Sequence, residues 1–465
     1  MFTLQPRFRP ILDPDFVPAV LWNRAYHALV AKDVDARHFA LVLKRPDGSV
    51  SRYDSKLLST HHSATPLNGR YAERLLKFLL WQKGCSSVLV AGAPEIAKQL
   101  SEIYSSTGVR AFDYDFIGKK IYGQPFVVEA ANFQDLPKET TSGLTLGRHL
   151  DGYRIGFDLG GSDRKAAAVI DGKVVFSEEI SWDPYFQKDP AYHIEGVHDS
   201  LKRAAAHLPR VDAIGGSAAG VYINNEVRIA SLFRGVPTGL FDQHIRRMFF
   251  TLQERWNSIP FEVANDGDVT ALAGSMSLGE NAILGVSMGT SMAGGYVKPE
   301  GDITPWLNEL AFAPIDYRLD APTDEWSGDR GCGVQYFSQQ GIDRLAARAG
   351  FAFGEMTPLP ERLLEVQKAM EKDDPRARQI YDSIGVYFGY AIAHYADFYE
   401  IRHLLVLGRV TSGTGGERIL ERAREVLAGE FPQLAEKIRL RMPNESDKRH
   451  GQAIAAASLP SLKKT

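Results

Sequence analysis

Ile155 to Val169 reads IGFDLGGSDRKAAAV. An apolar strand runs into Asp158, the chain turns at Gly160-Gly161-Ser162, and a second strand of small residues leaves with no helix between them. Two strands joined this way form a hairpin. Glycines at such a turn let the backbone approach a polyanion, and their N–H groups, with the Ser162 hydroxyl, can bind phosphate oxygens. Asp158 stands where a carboxylate can hold a hydrated Mg²⁺ against those oxygens, and Lys165 can add a cation. The segment is neither the phosphate loop that ends in Gly-Lys-Ser/Thr nor the dinucleotide fingerprint, because no helix follows directly. A glycine hairpin that serves geometry alone reads the same way, so this stretch by itself leaves both readings open.

Ile283 to Val297, ILGVSMGTSMAGGYV, repeats the design with Gly289-Thr290-Ser291 at the turn. Two such turns facing each other can hold both ends of a triphosphate. A third glycine cluster, His403 to Glu417 (HLLVLGRVTSGTGGE), is a buried strand, a turn at Gly408 and a helix from about Gly416. It offers backbone donors and a flat surface for a nucleoside, or is a plain strand-to-helix turn. In Phe261 to Ala271, FEVANDGDVTA, a strand ends at Asn265-Asp266 and a helix begins near Asp268. A carboxylate at the carboxyl end of a strand, held in a crevice, suits a general base toward a hydroxyl. Asp266 and Asp268 also suit helix capping.

Outward from these segments, strands at 213–216, 262–264, 282–288, 294–298 and 403–407 alternate with helices at 198–207, 241–257, 269–278, 334–349, 376–399 and 416–429. Ile170-Asp171-Gly172-Lys173 is a tight turn into Val174 to Ser181. That alternation predicts an α/β fold. Ahead of it, His38 to Lys44 and Val50 to Leu57 read as strands around an Asp47-Gly48 turn. Tyr71 to Gln82 reads as a helix, Ser87 to Ala91 as a buried strand, and 94–104 as a helix with proline in its first turn. Phe133 to Asp151 is polar and aperiodic and reads as a linker.

Composition bounds the function. The chain has 465 residues, 44% hydrophobic and 24% charged, enough for two or three domains and a large core. With 54 basic against 57 acidic residues there is no excess of the kind a nucleic-acid binder carries, and no second helix of a helix-turn-helix pair is visible. Two cysteines, Cys85 and Cys332, are too few for a disulfide framework or a thiolate zinc site, which points to a reduced, cytoplasmic setting. No run approaches the roughly 18 apolar residues that span a bilayer, and the amino end has no apolar signal core. Neither nucleic acid nor membrane is therefore expected as a partner.

Taken in order and spacing, these segments resemble the ROK family (repressor, open reading frame, sugar kinase) of the sugar kinase, actin and heat-shock ATPase superfamily, over roughly residues 153–462. DLGGS is similar to its first phosphate motif, with Ser162 for threonine, and GVSMGTSMAGG to its second. LVLGRVTSG is similar to its adenosine motif, and Ala264 to Asp266 to the segment bearing its catalytic aspartate. GSAAGVYINNEVR (Gly216 to Arg228) and HGQAIAAASL (His450 to Leu459) are similar to its proline-glycine segment and closing helix.

The resemblance implies two ribonuclease-H-like lobes around a cleft, plus a small N-terminal α/β domain. The expected divisions are residues 1–150, a first lobe at 151–267 completed by a helix at 447–465, and a second lobe at 268–446. It further implies ATP and Mg²⁺, with phosphotransfer to a sugar or polyol and Asp266 as the base. Asn265 and Glu309 would touch the acceptor; Asp158, Gly160, Gly161, Ser162, Lys165, Gly289, Thr290 and Gly408 would hold the nucleotide. A homodimer is compatible with it.

The departures from the family are specific. Where its sugar kinases carry Glu-x-Gly-His and then a cysteine-rich zinc loop ending Gly-Cys-x-Glu, this chain has Glu309 but Phe312 for the histidine. It keeps Gly331-Cys332 but has Val334 for the second glutamate. No structural zinc is therefore expected, and Asp324, Glu325, Trp326 and Gln335 are nearby candidates for replacement contacts. A non-catalytic sugar or nucleotide sensor and an ATPase acting on protein partners are the competing readings. Retention of Asp158, Asn265, Asp266 and Glu309 favours the kinase.

Overall fold

The computed structural model describes residues 4–141, 146–442 and 445–462. After an N-terminal strap comes helix α1 (Ala19–Val30). Strands β1 (Arg37–Lys44) and β2 (Val50–Leu57) then form the expected antiparallel hairpin, with Gly48 at φ +82° and the Asp47 carboxylate accepting from the Ser49 amide at 2.9 Å. Helix α2 (Leu67–Lys83), β3 (Ser87–Ala91), helix α3 (Pro94–Ile103) and β4 (Val127–Ala131) complete a sheet in the order β2-β1-β3-β4. Sequence reading found neither α1 nor β4.

A second sheet holds β5 (Tyr153–Leu159), β6 (Asp163–Ile170), β7 (Lys173–Ser181), β8 (Ala213–Ala218) and β11 (Phe261–Asn265), ordered β11-β8-β5-β6-β7. The β6–β7 turn places Asp171 at φ +45° and Gly172 at φ +78°, as a two-residue hairpin turn requires. The short hairpin β9 (Val221–Ile223) and β10 (Glu226–Ile229) projects beside this sheet. Helices α4 (Pro190–Ala205) and α5 (Met248–Arg255) enclose its core. Asp189 caps α4, so that helix starts eight residues before the expected one.

Helix α6 (Asp266–Leu278) then leads to a third sheet. It comprises β12 (Ile283–Met288), β13 (Met292–Val297), β14 (His403–Leu407) and β15 (Arg439–Arg441), ordered β13-β12-β14-β15. Helices α7 (Gln339–Arg348), α8 (Leu359–Glu371), α9 (Pro375–Tyr395) and α10 (Thr414–Glu430) belong to this half. The expected helix from Val334 is broken: Ser338 is an N-cap whose hydroxyl accepts from the Gln340 amide, and α7 starts after it. Helix α11 (Glu445–Ala457) returns to pack on α6, β5 and β8. The α/β architecture is the one the alternating pattern predicts, and α6 joins the second and third sheets with α11 packed against it.

The N-terminal sheet does not own a separate core. Phe39, Leu41 and Leu43 of β1, Phe78 and Trp81 of α2, and Tyr387 and Tyr395 of α9 all belong to one continuous apolar cluster. Helix α2 is buried on nearly every side, the pattern of an interior helix. Phe78 stacks on Phe398 at a ring separation of 4.0 Å. The strap inserts Asp13 among Arg318, Arg344 and Arg348 and the Tyr387 hydroxyl, which hold that carboxyl below its ordinary value despite burial. The expected linker, residues 133–151, is pinned at two points within it, Thr140 to Val50 and Leu146 to Ile303. Among the described residues no helix is long and apolar enough to cross a membrane.

Candidate active site

Strands β5, β8 and β11 run parallel, which aligns their carboxyl ends: Asp158 is opposite Ser217, and Asn265 opposite Ala218. Parallel pairing of β12 and β14, with Ser287 opposite Leu407, does the same for Gly289 and Gly408 in the other half. Sheet topology thus places the acids at one edge and two glycine turns at another.

At the first turn, Gly160 N–H donates to the Asp163 carbonyl at 2.9 Å, and the Trp182 indole donates to the Gly160 carbonyl at 2.8 Å. Gly161 has no room for a side chain, because a Cβ would meet the Tyr185 hydroxyl at 2.0 Å. Ser162 Oγ donates to Asp163 at 2.8 Å and Lys165 pairs with the same carboxylate at 3.2 Å. Asp163, which sequence reading passed over, thus engages both groups expected to meet phosphate. At the second turn Gly289 N–H donates to the Ser291 carbonyl, the Gly289 carbonyl accepts from the Gln339 amide, and Thr290 is exposed. Gly408 is at φ +98°, and a Cβ there would meet the Met288 carbonyl at 2.3 Å; only glycine lets β14 end this close to β12.

Asp158 is buried and accepts from Gln452 Nε2 at 3.2 Å; the same amide donates to Ser217 at 3.1 Å. Burial raises the Asp158 carboxyl, with Ser217 and Lys165 opposing. A buried carboxylate whose charged form burial disfavours fits a hydrated magnesium ion, which would stabilise that form.

Asp266 is the first residue of α6. Its neighbour Asn265 is the N-cap, Oδ1 accepting from the Gly267 amide at 2.8 Å and Nδ2 donating to the Gly220 carbonyl at 2.7 Å. The cap is therefore supplied by Asn265, and both ends of that amide are engaged. The Asp266 carboxylate accepts from the Gly267 amide at 3.0 Å, its own amide also lowers its proton affinity, and no described lysine or arginine pairs with it. Burial and the charge of Asp158 push its carboxyl up to about 6. Burial and Asp266 in turn push Glu309 up to about 7. Asp268 is pushed up to about 8 by burial, against hydrogen bonds from the Tyr296 amide at 3.0 Å and Asn308 Nδ2 at 2.9 Å. Burial comes first in each of these shifts, with Asp266 adding to those of Glu309 and Asp268, and carboxyls so raised make this crevice a candidate functional site. A cavity of about 560 Å³ runs from Asp266 along Thr270 to Ser287, Leu407 and Gln452, and another of about 250 Å³ lies at Asn265, Asp268 and Tyr222. Sequence reading assigns no site role to Tyr222, Asp268, Asn308 or Gln452, although Tyr222 and Gln452 lie inside matched motifs and Asp268 stands at the expected helix start.

The stretch that resembles a zinc loop is packed differently. Phe312 lies 4.2 Å, ring to ring, from Trp81, with Phe112, Phe116 and Trp326 around it. Cys332 is buried and free. Close to it, Lys77 pairs with Asp113 at 2.7 Å and with Asp329 at 3.3 Å, while Arg74 and Arg110 bridge Glu73 and Asp329. Three cations thus match three anions, Lys77 fully buried. Burial would raise Asp329, but Arg74 and Lys77 hold it below the ordinary range. The nearby carboxylates being committed to cations, this donor set does not fit zinc, and no group of three or more His, Cys, Asp or Glu among the described residues can hold a metal. Of the other candidates, Asp324 accepts from Ser327 within its own loop, Gln335 donates to Gln340, and Trp326 is largely exposed.

No protein-family model matches the chain. The glucokinase of Halalkalibacterium halodurans is 25% identical over 292 residues, covering 58% of this chain and 84% of that protein. The structure of the ROK hexokinase from Thermus thermophilus superposes with a TM-score of 0.52 at 20% identity, over 66% of this chain and 96% of that one. The chain has the ROK fold. A ROK family transcriptional regulator, a homolog of the E. coli MLC protein, shares the fold too, with a TM-score of 0.53 at 18% identity, over 67% of this chain and 79% of that one. The ROK fold thus carries both kinases and regulators, and a choice between them has to come from the site.

Proposed function

We propose that this chain transfers the γ-phosphoryl group of ATP to a hydroxyl of a sugar or related polyol. The observation that carries the reading is Asp266: a carboxylate at a strand end, unpaired by any described cation, with its proton affinity raised to about 6. A general base works best with a pKa near the operating pH. Asp266 accepts the acceptor's hydroxyl proton as that oxygen bonds to the γ-phosphorus and the bond to the β,γ-bridging oxygen breaks, releasing ADP. Glu309 and the Asn265 segment hold the acceptor. With the Gly160 and Gly289 amides engaged inside their own turns, the N–H groups of Gly161, Ser162 and Thr290 are the ones that would meet charge developing on the transferred group, and Gly408 lets β14 end flat beside the nucleoside. Most catalysis in such a transfer is positioning and electrostatics. Asp158 would hold magnesium, and the ion would supply neutralising charge at the phosphate oxygens when bound.

The test is ATP consumption by the full chain across hexoses, amino sugars and polyols, with the phosphate ester identified by mass. The reading predicts acceptor-dependent ADP release with at least one of them; no acceptor-dependent signal in the panel contradicts it. One observation favours a second reading, a sugar- or nucleotide-responsive regulator: Asp163 places a carboxylate inside the first phosphate turn, where it repels a nucleotide. Sugar or nucleotide binding without turnover is the result that reading predicts.

A further inference from the structure

The acceptor-side acids do not stand on the ROK-like halves alone. Helix α2 belongs to the N-terminal unit, and its last carbonyls lack partners inside the helix, as at any helix end. Here they are taken by the segment that carries Glu309: the Asn308 amide donates to the Gln82 carbonyl and the Glu309 amide to the Trp81 carbonyl, both at 2.9 Å. Asn308 is fully buried and held at φ +51°, a region that a side-chain-bearing residue occupies at a cost. Its amide is engaged at both ends, Oδ1 accepting from the Tyr399 hydroxyl at 3.0 Å and Nδ2 donating to Asp268 at 2.9 Å. Strain of this kind persists where surrounding contacts over-determine it, and it concentrates at working sites. Asp268 lies two residues beyond Asp266 on α6. Behind the clamp, the Trp81 ring packs on Phe312 and its indole donates to Asp113 at 2.9 Å, joining α2 to the buried ion cluster.

We propose that α2 is a positioning element of the acceptor site, its carboxyl end fixing Asn308 and Glu309 and, through Asn308, Asp268. The proposal rests on the reading of Asp266 and Glu309 as the acceptor side of a kinase. It gives the N-terminal unit a part in the reaction. It also accounts for a loop unsuited to zinc: the bracing of this wall comes from α2, through an aromatic stack and an ion cluster. Trp81 and Asn308 are positioning residues, not catalytic ones.

Two variants of the full chain test this, Trp81→Leu and Asn308→Gly, the second keeping the left-handed backbone accessible while removing the amide. Each is expected to raise the acceptor KM by about tenfold, the size of one lost hydrogen bond in Asn308→Gly and of the lost ring contact with Phe312 in Trp81→Leu, and to leave the ATP KM within about twofold. Trp81→Phe is expected to restore the acceptor KM. In Trp81→Leu, amide hydrogen exchange at Asn308 and Glu309 is expected to accelerate by about tenfold or more, with β12 amides unchanged. Acceptor and ATP KM values rising together, or an unmoved acceptor KM, overturn the proposal, as does unchanged exchange at Asn308 and Glu309. If the wild-type chain consumes no ATP with any acceptor, the kinase reading falls, while the exchange measurement still decides whether α2 clamps this segment.

Discussion

The turn at Gly160 to Ser162 and the wall at Asn308 to Phe312 are two sides of one proposed site, built on opposite principles. The first is local: two strands, three small residues and a handful of backbone bonds inside some thirty residues. The second is assembled from parts far apart in the chain, with Trp81 and Gln82 bonded to Asn308 and Glu309, Tyr399 to Asn308, and Asn308 to Asp268. A local turn tolerates change elsewhere in the molecule. A wall assembled at long range transmits it.

The largest effect that sharpens this contrast is Lys77→Met. It removes the cation shared by Asp113 and Asp329 and leaves buried charge uncompensated, and is expected to destabilise the chain by about 3–5 kcal/mol in denaturant unfolding. The double change Lys77→Met with Asp113→Leu is expected to recover part of the loss, because buried ion clusters are readily replaced by apolar packing. Recovery of nothing would mean that the cluster is not a unit. Next in size is Gly408→Val, which forces a Cβ toward the Met288 carbonyl at positive φ and is expected to cost about 1–3 kcal/mol in thermal unfolding. A neutral outcome there would show that the end of β14 can shift.

A pH profile comes third. Asp266 works ionised, and its folded-state carboxyl is raised to about 6, so kcat/KM is expected to fall as pH drops through about 6. The same sign applied to stability says that ionising Asp266 costs the folded state, so protection by its proton is lost as pH rises through that value. A limb centred near 4 would place the base in an ordinary carboxylate environment and contradict the geometry. The smallest effect is Asp163→Asn, which releases Ser162 and Lys165 from a partly exposed pair. It is expected to lower the ATP KM by no more than about fivefold, the range of an exposed ion pair. A raised KM would make Asp163 a contributor to nucleotide binding.

The same contrast explains what could be read in the sequence. Strand β14 and the turns at Asp47-Gly48 and Asp171-Gly172 stand where the pattern puts them, because glycine chemistry and short apolar runs are local. Asp158, Gly289 and Asp266 could be singled out for the same reason, each at a strand end. Helix α1 (AVLWNRAYHALV) buries five apolar residues and Asn23, yet it is not legible in the sequence because its partners are on the distant helix α9. Asn308 looks like any loop asparagine until Asp268 and Tyr399 are brought to it. The docking of α2 rests on long-range pairs such as Lys77–Asp329 and Phe78–Phe398, which no spacing within 67–83 encodes.

One residue carries the chemistry in this account, and the rest hold and orient. The direct test is to measure ATP binding and phosphoryl transfer on the same preparation of Asp266→Asn. Removal of a general base is expected to cut turnover by about 10²- to 10⁴-fold while ATP affinity stays within about threefold of the unaltered chain. Turnover unchanged in that variant would contradict it.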